Sequence, residues 1–400
     1  HPPQQMWRQP IGAGWSAFAI VGNYAFTQEQ RGELELVVCY RVTTGEVVWT
    51  HEDEARFDPV TLGGGFGGLG PRATPTVHNE RVLTQGATGI VNCLDARTGD
   101  VIWSHDTLAE QGADLLMWGK SGSPLVVDDM VVVNVGAPSD PQQQESYTGS
   151  LVAYDLETGE ARWAAGSRTT AYPSPVVAEL AGERQVLQIN EDFLTAHRAA
   201  DGKVLWEHEW LGKSDADASC AQPVPVEGDR LFLSRGYGHG ASLPHVAKTG
   251  AGDFQVHPLW NPPIMRVMRT KFGNVVVRDG YVYGLDGVML QCIELETGSK
   301  VWKKRRQRPF GHGQIMLVGD VILIMSEMGE LVLVKCSPDR YQELASLQVF
   351  DETNVTWNNP AIAPPYLLLR NAREAVCYRL PLKAELQVAS SERPVGADAE

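Results

Sequence analysis

The sequence predicts an all-β chain, an eight-bladed β-propeller of four-stranded antiparallel sheets, with seven blades the alternative if the degenerate units merge. Three observations carry this. A turn-and-strand motif ending in tryptophan recurs, from Thr44 to Trp49 (TGEVVW), Thr98 to Trp103 (TGDVIW), Thr158 to Trp163 (TGEARW), Asp201 to Trp206 (DGKVLW) and Thr297 to Trp302 (TGSKVW). Short alternating strands rich in β-branched residues precede the copies, and no helical period separates them. Trp49, Trp103, Trp163, Trp206, Trp260 and Trp302 are spaced by 54, 60, 43, 54 and 42 residues, the repeat length of a propeller blade.

Each unit is read as strands A to D. Leu125 to Val127, a turn at Asp128 and Asp129, and Met130 to Val135 give A and B; Ser150 to Asp155 gives C. An aspartate such as Asp95 or Asp155 hydrogen-bonds the next turn, and the motif glycine supplies the positive φ that reverses the chain. The tryptophan then sits on strand D and packs between sheets. The Trp260 unit has lost the turn but keeps the period. A seventh unit from Gly313 to Leu347 replaces the turn with Ser337-Pro338-Asp339. Residues 359–380 supply only three strands. Trp7 lies 42 residues before Trp49, so Gln5 to Gln9 is expected to complete the last blade and close the ring. One domain over 1–383 and a disordered tail over 384–400 follow.

The chain has 400 residues, 43% apolar, and a formal charge of -15. That balance disfavours nucleic acid, and no apolar run is long enough for a membrane span. Residues 1–20 lack the form of a signal peptide; the opening His1-Pro2-Pro3 reads as a processed or truncated start, leaving a periplasmic or otherwise exported location and a cytoplasmic one both open. A monomer is expected. Cys39, Cys93 and Cys292 each precede a repeat tryptophan by ten residues, where other units carry Ala153 and Ala196. They read as space-filling thiols, and the six cysteines show neither disulfide nor metal spacing.

Leu151 to Asp155 with Thr158, Gly159, Glu160 and Trp163 is similar to the tryptophan-docking repeat of quinoprotein-like propellers. That family includes pyrroloquinoline quinone (PQQ) dependent alcohol dehydrogenases and the outer-membrane lipoprotein of the β-barrel assembly machinery, whose size this chain matches. It also resembles bacterial PQQ-binding-like β-propeller repeat proteins, usually exported. The resemblance implies either a rigid binding scaffold or a PQQ enzyme with calcium, oxidising an alcohol or sugar. The adjacent cysteine pair of many catalytic relatives is absent, as is the CxxCH of haem-carrying ones.

In a propeller the D-to-A and B-to-C loops share one face. They deliver a polar and aromatic ring: Trp15, Arg31, Arg72, Tyr172, Gln222, Lys271, His312, Trp357 and Asn358 as ligand-binding candidates. Redox chemistry would need a carboxylate base beside a stacking surface. Glu29 or Asp286 is the candidate base, Asn358 the candidate metal group, Trp15 or Trp357 the platform, and His312, Arg31 or Arg72 the anion partners. The same residues serve equally as channel lining, a charge network or a protein-binding face. A basic stretch, Lys303 to Arg308 with Arg266, Arg269 and Lys271, marks one rim as a place for an anionic partner, or as a solvated edge balanced by Glu52, Asp53 and Glu54 or by Asp215 and Asp217. The glycine run 63–68 reads as a mobile lid rather than a phosphate loop. The apolar loop 113–119 either covers the channel mouth or contacts a partner. The leading reading is a binding scaffold for a protein or small polar ligand; the alternatives are a PQQ-dependent dehydrogenase and, more weakly, a propeller hydrolase or lyase.

Overall fold

The computed structural model describes residues 3–62, 67–210, 218–260 and 264–381. Eight small antiparallel sheets form the ring. Blade 1 runs Ala19–Val21, Tyr24–Arg31, Leu34–Arg41 and Val47–Asp53, and blades 2 to 7 repeat this order along the chain. Blade 8 takes Ala361–Ala363, Tyr366–Arg370 and Glu374–Arg379 from the C-terminal end and its outermost strand, Gln4–Pro10, from the N-terminal end. The ring therefore closes as the tryptophan spacing predicts. Closure removes the exposed sheet edges that would otherwise lie at the two chain ends. The expected tail from 384 lies outside the described residues, as does most of the glycine run. No described helix is long and apolar enough to cross a membrane. Two short helices, Thr107–Gln111 and Pro141–Gln144, occupy connections and were not foreseen from the periodicity.

The register explains the small residue ten positions before each tryptophan. Cys39 faces Trp49, Cys93 faces Trp103, Ala153 faces Trp163, Ala196 faces Trp206 and Cys292 faces Trp302 across the C–D pair. Trp7 faces Cys377 in the same way. A bulge beside each of these pairs turns the strand, and the ring leaves its own sheet for the next one. Trp7 Nε1 donates to Val42 O, Trp49 to Ala96 O, Trp103 to Leu156 O, Trp260 to Glu296 O and Trp302 to Ser337 O, each on the following blade. All six cysteines are free thiols.

The motif glycine is the other half of this dock. A Cβ on Gly99 would lie 2.6 Å from the Trp49 ring, one on Gly159 2.6 Å from Trp103, and one on Gly45 2.8 Å from Trp7. These glycines also hold φ between 75 and 79°. Glycine is thus required twice, for the backbone conformation and for the neighbouring indole. The degenerate seventh blade now has a physical reason. Ala345 occupies its tryptophan position, opposite Leu333. Blade 8 borrows its outer strand from the N-terminal end and has no C–D turn on which a tryptophan could dock. The core is a series of such interfaces; one cluster joins Phe26, Cys39 and Trp49 to Val82 and Leu94 of the next blade.

Candidate functional site

Where each blade begins, a four-residue pattern recurs: a variable residue, a small one, a polar one, then proline or an apolar residue. Arg72-Ala73-Thr74-Pro75, Ser121-Gly122-Ser123-Pro124, Tyr172-Pro173-Ser174-Pro175 and Cys220-Ala221-Gln222-Pro223 show it most clearly. The small residue is forced. A Cβ on Gly122 would meet the Asn134 side chain at 2.7 Å, and one on Gly273 would lie 3.0 Å from Gly313 O. The first and third residues, alternating with it along the extended chain, face the ring axis.

They line a cavity of about 420 Å³ on the loop face. The outer tier consists of Trp15, Arg72, Ser121, Tyr172, Cys220, Phe272 and Trp357; the deeper tier consists of Thr74, Ser123, Ser174, Gln222, Asn274, Gln314 and Asn359. Trp118 and Tyr237 from neighbouring loops complete the wall. The deeper tier is also a belt that staples blade to blade. Ala17 N donates to Thr74 Oγ1 (3.0 Å), Thr74 N to Ser123 Oγ (3.1 Å), Ser123 N to Ser174 Oγ (2.8 Å) and Gln222 N to Asn274 Oδ1 (2.8 Å).

The aromatic side of the wall is continuous. Trp357 lies 4.9 Å from Trp15 and 4.8 Å from Phe272 between ring centroids. Glu327 fixes it, accepting from Trp357 Nε1 (2.8 Å) and from His312 N (3.0 Å). Arg72 stands beside Trp15 at the start of the next blade, and both donate to Gly67 O. Its guanidinium donates to Gly70 O, Gly67 O and Gly68 O and lies over the Phe57 ring at 4.6 Å. Burial lowers its pKa to about 10. Burial also pushes the Cys220 thiol up to about 12, which leaves it a poor nucleophile.

Five of the candidates thus meet at one cavity: Trp15, Arg72, Tyr172, Gln222 and Trp357. The others are placed elsewhere. Glu29 is fully buried, holding Arg31, Tyr40 Oη (2.6 Å) and Gly12 N (2.8 Å). Arg31 is therefore its partner in a structural network. Asp286 is fully buried between Arg269 and Lys303. Burial opposes its ionisation, but hydrogen bonds from those two cations outweigh burial and hold the carboxyl below its usual range. Neither carboxylate lines the cavity, and Asp286 as bound is a weak base. Asn358 falls on the small-residue position and points away, its Nδ2 donating to Gly14 O and Ser16 O of blade 1; the residue in the wall is its neighbour Asn359. Lys271 lies over the Tyr237 ring at 4.8 Å, beside rather than in the wall. Burial and the Lys271 charge hold the His312 imidazole below its ordinary range.

Sequence reasoning missed Cys220, Asn274 and Asn359, which the small-residue pattern would have found, and Ala218, which lies outside that pattern; Trp118, from the apolar loop 113–119, and Tyr237, from a B-to-C loop, are on the face where those loops are expected. The loop 113–119 covers the mouth: Leu116 is buried against Tyr172 and Ala218, with Trp118 packed on them. Part of the basic rim is balanced locally: Arg306 pairs with Glu330 and Glu343, and Asp286 takes Arg269 and Lys303. Asp215 and Asp217 lie outside the described residues.

The family model described as outer membrane protein assembly factor BamB matches residues 4–117 and 33–304, together spanning 4–304. The chain belongs to the BamB family. Among solved structures, BamB from Moraxella catarrhalis aligns with this BamB-family propeller at a TM-score of 0.61 and 13% identity, covering 95% of this chain and 98% of the other. The computationally designed Ika8 protein aligns at 0.56 and 11%, covering 94% and 99%. A quinohemoprotein alcohol dehydrogenase from Pseudomonas putida HK5 aligns at 0.61 and 13%, covering 94% of this chain and 76% of that one. At these identities the likeness is one of fold. Curated protein sequences give no match.

Proposed function

We propose that this chain is an exported binding module of the cell envelope, taking a ligand or a segment of a partner into the axial cavity, with the ring as rigid support. The observation that supports it is the wall itself. A repeated sequence position builds it in two tiers, aromatic and neutral-polar, at the concave mouth where propellers and barrels hold ligands. Family membership is compatible with a scaffold in envelope assembly.

The same wall bears on the quinone alternative. PQQ with calcium would need carboxylate oxygens for the metal and a carboxylate base near the quinone. The described lining residues include none, and no described group of three His, Cys, Asp or Glu side chains could hold a metal ion. The described residues do not fit that pair.

Thermal-shift screening of the full chain tests the proposal, because a ligand that binds the native state raises the melting temperature. The expected result is a stabilising ligand whose effect disappears in Phe272→Ala, with no dye-linked oxidation of alcohols or aldoses when PQQ and calcium are supplied. Turnover under those conditions would sink the binding-module reading.

A further inference from the structure

We infer that the axial cavity takes a neutral saccharide, in preference to an anionic or a purely aromatic ligand. This rests on the reading of the cavity as the recognition site. Charge is the first argument. The described wall carries one cation and no carboxylate, and that cation, Arg72, already donates to three carbonyls. A multiply charged anion would give up its hydration for a guanidinium largely committed to the protein. A cationic ligand would find no counter-charge among the described wall residues.

The hydroxyls are the second argument. Thr74, Ser123 and Ser174 occupy consecutive blades of the deeper tier, and each oxygen accepts a backbone N–H from the blade before it. A hydroxyl carries one donor and two acceptor sites, so each retains its proton and a lone pair for the cavity. Sugar hydroxyls also donate and accept, and they satisfy such an arc. A purely aromatic ligand would cover it without replacing its water, leaving those polar groups unpaired.

The third argument is the opposite wall, where Trp357 stands between Trp15 and Phe272 with its ring N–H held by Glu327. That N–H is satisfied, so the ring offers the cavity an apolar surface in fixed orientation. The axial C–H bonds that form one face of a pyranose pack on such a surface while its hydroxyls reach the arc.

The experiment titrates the purified full chain with glucose, galactose, mannose, N-acetylglucosamine, maltose and cellobiose, and separately with PQQ plus calcium. Tryptophan fluorescence and calorimetry are the readouts. At least one saccharide should bind saturably, with no dependence on pH between neutral and mildly alkaline values. Phe272→Ala, which removes part of the apolar wall, and the double variant Ser123→Ala, Ser174→Ala, which removes two hydroxyls, should each weaken it by about 10-fold or more. Circular dichroism and melting curves confirm that the variants fold, and Thr74→Val is the alternative if the double variant does not. Saccharide binding unchanged in all folded variants would overturn the assignment to this cavity. PQQ binding with every sugar silent at tens of millimolar would overturn the ligand class and leave the cavity as the site. Silence of all probes would overturn both.

Discussion

Replacing Gly99 with alanine isolates the dock between blades. The new Cβ meets two difficulties. At φ +79° an L side chain is strained, at a cost of roughly 1–2 kcal/mol. The Cβ would also lie 2.6 Å from Trp49 Cε3 and 2.7 Å from Cδ2, within the overlap that forces a buried ring to move, a further cost of roughly 1–3 kcal/mol. Gly22→Ala is the control, since that turn glycine has φ +56° and nothing within 4 Å, so only the backbone term applies. Urea unfolding followed by tryptophan fluorescence should place Gly99→Ala about 2–5 kcal/mol below the parent and Gly22→Ala about 1–2 below it. In a Trp49→Ala background the steric part should vanish, leaving a coupling of about 1–3 kcal/mol between the two sites. Equal losses in Gly99→Ala and Gly22→Ala, or a coupling near zero, would refute the claim that glycine is needed for the indole as well as for φ.

Other consequences are read in the same way. Trp7→Ala should cost roughly 3–5 kcal/mol, and deletion of residues 1–10 should expose the edge of blade 8 and give oligomers in size-exclusion chromatography; a monomer as stable as the parent would contradict closure by the termini. Glu29→Gln and Asp286→Asn should lower the melting temperature, Asp286→Asn by the equivalent of about 3–5 kcal/mol for a broken buried pair, and should leave cavity-ligand affinity unchanged. Two buried groups give opposite pH slopes. Burial raises the Glu35 carboxyl from 4.5 to about 8, so the native chain holds a proton that the unfolded chain releases. Stability then falls as pH rises from about 4.5 and the loss is complete above about 8. Glu35→Gln should remove that slope. Burial lowers Lys120 from 10.5 to about 7, and its Nζ donates to Val135 O at 3.0 Å. Its contribution has the other sign: stability rises from about pH 7 towards 10.5, and Lys120→Met should gain most below that window. Denaturant midpoints measured against pH check both.

Architecture was legible because it is written in positions that repeat. Cys39, Cys93 and Cys292 keep one spacing to their tryptophans because each pair sits face to face in the sheet, and Trp7 obeys the rule across the closure. The site was legible only in part, for a reason of periodicity. Side chains alternate at the entry to each blade, so a shift of one residue turns a wall group into a packed one. Asn358 and Asn359 differ by that step, and only the small-residue register tells which of the two amides faces the wall. Glu29 and Asp286 lie away from the wall for another reason. An isolated carboxylate at a strand end looks available in one dimension, whereas Arg31, Arg269 and Lys303 become its neighbours only after folding.

This separation has a consequence for how such rings change function. The tryptophan dock lies at the outer strands, and the hydrogen-bonded belt uses an acceptor that Thr74, Ser123, Ser174 or Asn274 can each supply. Neither constrains the first residue of the entry pattern, which is Trp15, Arg72, Ser121, Tyr172, Cys220, Phe272, His312 and Trp357 in turn, all but His312 in the cavity wall. That tier can be rewritten one blade at a time with little loss of stability, provided the small residue after it is kept. Ser121→Tyr should therefore fold and narrow the cavity, while Gly122→Val, one residue on, should fail against Asn134 at 2.7 Å. Circular dichroism of the two variants side by side decides it: if both fold equally well, the entry pattern does not set the register of the wall.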